Sequence, residues 1–153
     1  MGIKKDCLPH EITIYHKLGE VNKIAKFHPT IIKLVRLEQR IAISQKLKGQ
    51  STYDTFKIYI DTCNSVAYWQ NNRRTYLSRH TFKSLSQEEQ QNYWTISEGD
   101  YIITKAIDDS EFSMNIEELK KAMRVYTVNA FVPVYDKKGL HHWEVSGRGK
   151  ILE

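Results

Sequence analysis

The sequence predicts a mainly β protein, a small antiparallel β-barrel or sandwich of about six strands with two short helices in the connections. Apolar and polar residues alternate in several segments, which is the period of a strand with one buried face. The 153 residues include nine Tyr, five Phe and three Trp, and aromatic side chains favour strands. Most links between these segments are short, which favours antiparallel pairing, and closure into a barrel or sandwich hides the sheet edges.

The predicted strands of the N-terminal half differ in how clearly they alternate. The first covers residues 11–18, and a polar turn over 19–23 follows it. The start of the segment 30–47 also fits a helix face, but its later half alternates and is dense in β-branched residues, so we predict a long, bent strand. A turn at 48–51 leads to the clearest strand, over 53–61.

A polar segment and a predicted short helix separate the two halves of the chain. The segment 64–74 is polar and is predicted to be a loop, and residues 76–78 form a short strand after it. Ser86 and Glu89 have the spacing of a capping box, in which each side chain bonds the backbone N–H of the other. We therefore predict a short helix over residues 87–93.

The C-terminal half alternates between strands and one further helix. A strand is predicted over residues 101–107, and Asn115 is the predicted N-cap of a helix with acidic residues in its first turn and lysines in its last. The segment 124–135 is a strand in which Pro133 indicates an edge or a bulge. Residues 140–146 form the returning arm of a hairpin.

The length and composition indicate one domain. We expect an N-terminal arm over residues 1–10, the β domain over 11–146 and a flexible C-terminal tail over 147–153. No apolar segment is long enough to span a bilayer or to act as a secretory signal, so we expect no membrane association. The two cysteines, Cys7 and Cys63, lack metal-type spacing and are expected to be reduced thiols.

Catalytic and metal-binding motifs are missing from the sequence, so we predict no enzyme, no metal and no cofactor. Neither G-x-S-x-G nor H-E-x-x-H occurs. His141 and His142 are adjacent on a predicted strand and should point to opposite faces, which prevents joint chelation. The acidic group at 108–111 fits a solvated loop before a helix. An enzyme whose site combines distant residues, around His141, His142 and Asp108, is the weakest alternative.

The candidate contact residues lie in the predicted loop and in the predicted tail. The loop sets cations beside aromatic rings, and the chain has a net charge of +5, so a small-barrel nucleic-acid-binding module is an alternative function. Trp69 is a candidate anchor for a protein partner, and a loop Trp that folds back over the barrel mouth is an equally good interpretation of this residue. The predicted partner-contact residues are Trp69, Asn71, Arg73, Arg74, Arg148 and Lys150.

Five short sequence motifs, in this order, give the chain a resemblance to a known family. They are Ile12–Lys17, Tyr76–Ser78 with a Ser/Glu-rich helix after it, Tyr93–Ile96, Glu98–Lys105 and His142–Gly147. Together they resemble an uncharacterised family of small minor capsid or head–tail connector proteins in tailed phages and prophages of Gram-positive bacteria. The resemblance covers about residues 11 to 150, and the segments 30–51 and 64–74 depart from the family pattern.

The resemblance implies a virion structural protein made in the host cytoplasm and located in the neck of the particle. Its role would be head closure (a stopper) or tail completion, through contacts with portal, adaptor or tail proteins. Several copies would form a ring, which requires one patch of each subunit to meet a different patch of the next. DNA would pass through the channel without sequence recognition.

Overall fold

A computed structural model describes residues 3–46, 49–107, 116–122 and 125–150. The described residues form nine strands: β1 (His10–Val21), β2 (Ile24–Lys46), β3 (Gly49–Asp61), β4 (Val66–Trp69), β5 (Asn72–Tyr76), β6 (Tyr93–Trp94), β7 (Tyr101–Ile103), β8 (Val125–Asp136) and β9 (Gly139–Lys150). They also contain the helices α1 (Arg79–Lys83), α2 (Gln87–Gln90) and α3 (Ile116–Ala122), and a 3-10 turn at Lys5–Cys7. The prediction of a mainly β fold with short helices is confirmed.

All nine strands belong to one sheet, in the order β1-β7-β8-β9-β3-β2-β4-β5-β6. An additional pairing of β1 with β2 closes a ring of six strands, and β4, β5 and β6 form a branch outside it. The strands pair antiparallel except β5 and β6, which are parallel. The sheet therefore has more strands than the six predicted, and the branch makes it more complex than a simple barrel.

Strand β2 bends where it changes neighbours. Residues 31–33 pair with β4, and residues 35–46 pair with β3 along the same edge. Leu34 lies between the two pairings with a φ of 59°, a left-handed conformation that is unusual for a leucine. The predicted long, bent strand is therefore confirmed, and it begins earlier than predicted because β1 and β2 form a tight hairpin at Asn22 and Lys23, both with positive φ.

The hydrophobic core lies inside the ring and extends under the branch. Phe56, Ile58 and Ile60 of β3 are all buried, as their alternation predicts. The aromatic part of the core joins the branch to β9, since the Trp94 and Trp143 ring centroids are 5.6 Å apart and both rings contact Tyr76. The other buried members of this cluster are Ile12, Ile14, Ile32, Val35, Ala67, Ile96, Ile102, Tyr126, Val128 and Val145.

Two predictions for the middle of the chain are wrong. The segment 64–74 is not a loop: it contains β4 and most of β5, joined at Gln70 and Asn71, and β5 ends at residue 76, where a separate short strand was predicted. The Ser86 cap is present, with its hydroxyl accepting from Glu89 N. The helix after it nevertheless ends at Gln90, because Tyr93 and Trp94 pair with β5.

The C-terminal half follows the predicted order with different boundaries. Strand β7 ends at Ile103 rather than at residue 107. Helix α3 is present with Glu117 and Glu118 in its first turn, while the predicted cap at Asn115 lies outside the described residues. Pro133 lies beside a register shift at Val134/Tyr135, and beyond Val128 no described strand pairs with the outer edge of β8, which confirms the predicted edge or bulge.

Residues 147–150 are part of β9 and not a flexible tail, because they pair with β3 up to Tyr53↔Lys150. Their glycines allow three strands to approach closely. A Cβ on Gly147 would lie 1.9 Å from Thr127 O and 2.7 Å from Phe56 Cε1, whereas one on Gly149 would meet no heavy atom closer than 3.1 Å.

We predict that Gly147→Ala lowers the free energy of unfolding by about 3 kcal/mol, because the new methyl group must displace backbone as well as a ring. Gly149→Ala is the matched control and should cost no more than about 1 kcal/mol, since only small shifts are needed. Urea unfolding followed by Trp fluorescence measures both. Equal effects of the two substitutions would contradict the close approach at Gly147.

Candidate interaction surfaces

The β4–β5 hairpin carries four of the six predicted contact residues but presents only two of them to solvent. Asn71 at the turn and Arg73 are exposed. Trp69 and Arg74 point inward, with relative exposures of 9% and 6%. The alternation of a strand places neighbouring side chains on opposite faces, so the two adjacent arginines have opposite environments.

Arg74 is a buried cation that bonds only neutral groups. Its guanidinium donates to Pro29 O and to Thr30 Oγ1 (2.9 Å) on β2, and to Gln91 O (3.1 Å) and Gln91 Oε1 (3.0 Å) after α2. Burial lowers the pKa of Arg74 from its ordinary value to about 10. The side chain therefore fastens the branch to the ring and is not available to a partner.

His28 lies beside Arg74 and is held neutral by the same environment. Its Nε2 donates to Tyr93 O at 2.9 Å, because a carbonyl oxygen only accepts. Burial, and then the charge of Arg74, lower the pKa of His28 from 6.5 to about 4. This histidine therefore acts as a neutral link between β2 and β6.

A cavity of about 310 Å³ opens beside the aromatic cluster, lined in part by Tyr76, Trp94, Trp143 and Asp61. The Asp61 carboxylate is buried and accepts from three backbone N–H groups, of Ile3 (2.9 Å), Cys63 (3.1 Å) and Asn64 (2.7 Å). The described part of the N-terminal arm is thus docked on the domain at the mouth of this cavity, and Leu8 of the arm is buried.

Arg148 and Lys150, the other two predicted contact residues, lie on β9. Arg148 is exposed and pairs with Thr55. The β4–β5 hairpin continues from the opposite end of β3, beyond Asp61, roughly 20 Å from Thr55 at the usual strand rise. The six predicted residues therefore do not form one surface.

Several strand edges are open among the described residues, including that of β6 at the end of the sheet; the two longest belong to β2 and β8, and sequence reasoning identified only one of these two. Beyond Val35, no described strand pairs with the β1-side edge of β2. Leu37 N donates to His10 Nδ1 on that side, and residues 38–46 are open. The outer edge of β8 is open over residues 129–136 and carries the exposed apolar side chains of Val132 (50%) and Tyr135 (67%). Pro133 indicated the β8 edge, but nothing in the sequence separates an open from a paired edge of β2.

The histidine pair departs from expectation. The Nδ1 atoms of His141 and His142 are 2.7 Å apart, so the two rings meet instead of pointing to opposite faces; a register shift lies nearby in the β8–β9 hairpin. No group of three or more His, Cys, Asp or Glu within the described ranges is arranged to hold a metal ion. Asp108 and the acidic group at 108–111 lie outside those ranges.

The fold defines a mainly β protein built on a nine-stranded sheet, with a docked N-terminal arm and long open edges on β2 and β8. The profile described as a family of unknown function (DUF6751) matches residues 8–148, and the chain belongs to this family. No curated protein and no solved structure matches the chain. Among the described residues, none of the helices has the length and apolar character needed to cross a membrane.

We predict that Arg74→Ala lowers the free energy of unfolding by about 3 kcal/mol or more, since it leaves several buried acceptors without a donor. Arg73→Ala removes the same charge from the same strand and should change stability by less than about 0.5 kcal/mol, because Arg73 is exposed. Chemical unfolding of both variants tests this. An Arg73 variant as unstable as the Arg74 variant would contradict the inward bonding of Arg74.

Proposed function

We propose that this protein is a structural component of a tailed phage or prophage virion, acting in the neck as a head-closure or tail-completion protein. In this proposal the six strands that close into a ring form a rigid barrel. Copies of the chain assemble into a ring that contacts portal, adaptor or tail proteins, and DNA passes through its channel without sequence recognition.

The observation that carries the proposal is the pair of open edges, because they are unlike each other. The β2 edge offers backbone donors and acceptors over residues 38–46, which is the surface that strand addition uses. The β8 edge offers exposed apolar side chains, Val132 and Tyr135, and Pro133 interrupts its backbone donors. A ring of identical subunits needs two different patches on each subunit.

The β4–β5 hairpin does not support the alternative function, a small-barrel nucleic-acid-binding module. It relied on Arg73 and Arg74 beside Trp69, and Arg74 and Trp69 are buried. A single exposed arginine beside Asn71 is a weak electrostatic footprint for single-strand binding. The family resemblance and the open edges therefore favour protein–protein contacts.

The test combines gene context with assembly. We expect neighbouring reading frames for portal, capsid and tail proteins, and co-expression with those products should yield a ring visible by negative-stain electron microscopy. Replacing Val132 and Tyr135 by Asp should abolish the ring, because two carboxylates cannot be buried unpaired in an apolar contact.

The control variant is Asn22→Asp with Gln87→Asp, which adds the same two carboxylates at the exposed β1–β2 turn and at α2. It should assemble normally. Unrelated neighbouring genes, together with a monomer at every concentration and no complex with portal or tail proteins, would overturn the proposal.

A further inference from the structure

A second cavity, also of about 310 Å³, lies between the end of β1 and helix α1. Its lining includes Lys17, Arg79 and Lys83, and no carboxylate is among its lining residues. This volume is at the lower end of the range for small-ligand sites. The cavity is therefore large enough for a small group, and its lining includes two exposed cations on α1, Arg79 and Lys83.

Two of these cations are held near each other without a neutralising partner. Arg79 and Lys83 are four residues apart on α1, and neither side chain makes a hydrogen bond or an ion pair with any described residue. Like charges at this spacing repel and destabilise a helix. Lys17 also lines the cavity, but its Nζ lies 4.7 Å from the centroid of the Tyr101 ring, so its charge is directed away from His16 and is not counted in the site. An anion in the cavity would relieve this repulsion.

A buried histidine places a ring nitrogen where it can contact a ligand in the cavity. His16 is 5% exposed and also lines the cavity. Its Nδ1 lies 2.8 Å from Asp100 Oδ2, and a carboxylate orients an imidazole by accepting from that nitrogen. Nε2, on the other side of the ring, is then the nitrogen available to the cavity.

The surroundings hold this histidine in place. The Asp100 carboxylate also accepts from Lys17 N (3.1 Å) and Ser97 N (2.8 Å), so its position does not depend on a ligand. The Phe82 ring packs edge-on against the His16 ring with centroids 5.5 Å apart. Gln90 Nε2 donates to Phe82 O at 3.0 Å, which joins α2 to α1 behind the cavity. The site is preformed.

We propose that this cavity binds a phosphate group. The Arg79 guanidinium can bond two phosphate oxygens at once, and the Lys83 ammonium adds a point charge. Nε2 of His16 can donate to a phosphate oxygen when the ring is protonated, and can accept from a monoanionic phosphate when it is neutral. A carboxylate offers fewer oxygens to Arg79, Lys83 and His16 than a phosphate does. The proposal does not depend on the neck assignment.

The experiment titrates the full chain with inorganic phosphate at constant ionic strength, using chloride to balance. The ¹⁵N and ¹H resonances of the His16 ring report binding. We expect saturable shifts at His16, and an affinity weakened by about tenfold or more in the Arg79→Gln/Lys83→Gln variant, because two charge-assisted contacts are lost. Lys137→Gln/Lys138→Gln, which removes the same charge at the exposed β8–β9 turn, should bind as the unaltered protein does.

Two further titrations distinguish the source of the phosphate. A nucleoside monophosphate that binds more tightly than inorganic phosphate would identify a small ester, and a short oligonucleotide with the same dependence on Arg79 and Lys83 would identify a nucleic-acid backbone. Shifts that do not saturate, or equal weakening by both variants, would overturn the proposal. Acetate that binds as well as phosphate would also overturn it.

Discussion

A β-strand has two hydrogen-bonding edges, and the first half of β2 uses both of them. Residues 31–33 lie between β1 and β4, so this short stretch joins the six-strand ring to the branch. The left-handed Leu34 then turns the strand to meet β3. Beyond Val35, no residue of β1 pairs with β2, so the β1-side edge of β2 has no neighbouring strand. The closure of the ring, the branch and the open edge all result from this change of neighbours.

Buried polar groups hold the branch against the ring, where apolar packing alone would not specify its position. Arg74, His28 and Asp61 each tie a distant segment to β2 or β3 through bonds to backbone atoms. Such groups are costly to bury and costlier to leave unpaired. That is why Trp69 and Arg74, which the sequence placed in a contact loop, instead lie inside the fold.

Alternation predicted the strands 11–18, 30–47 and 53–61 because apolar side chains recur there at every second position. It failed at 64–74, where the inward side chain at position 74 is an arginine, so a buried position looked polar. Glycines near the C-terminus suggested flexibility, yet Gly147 is needed for close packing against β8, a contact that depends on residues about 20 positions away. The basic cavity could not be predicted, since His16 and Arg79 are brought together only by the tertiary fold.

Amide hydrogen exchange along β2, measured residue by residue, tests the open edge most directly. Leu37 N donates to His10 Nδ1 on the β1 side, and N–H directions alternate along a strand, so the amides of Gln39 and Ile41 face the open edge. In the isolated chain these two amides should exchange faster than those of Glu38 and Arg40, which face β3. The amides of Gln39 and Ile41 should become protected when copies of the chain assemble into the proposed ring of subunits. Protection of Gln39 and Ile41 in the monomer, or unchanged exchange after assembly, would contradict the account.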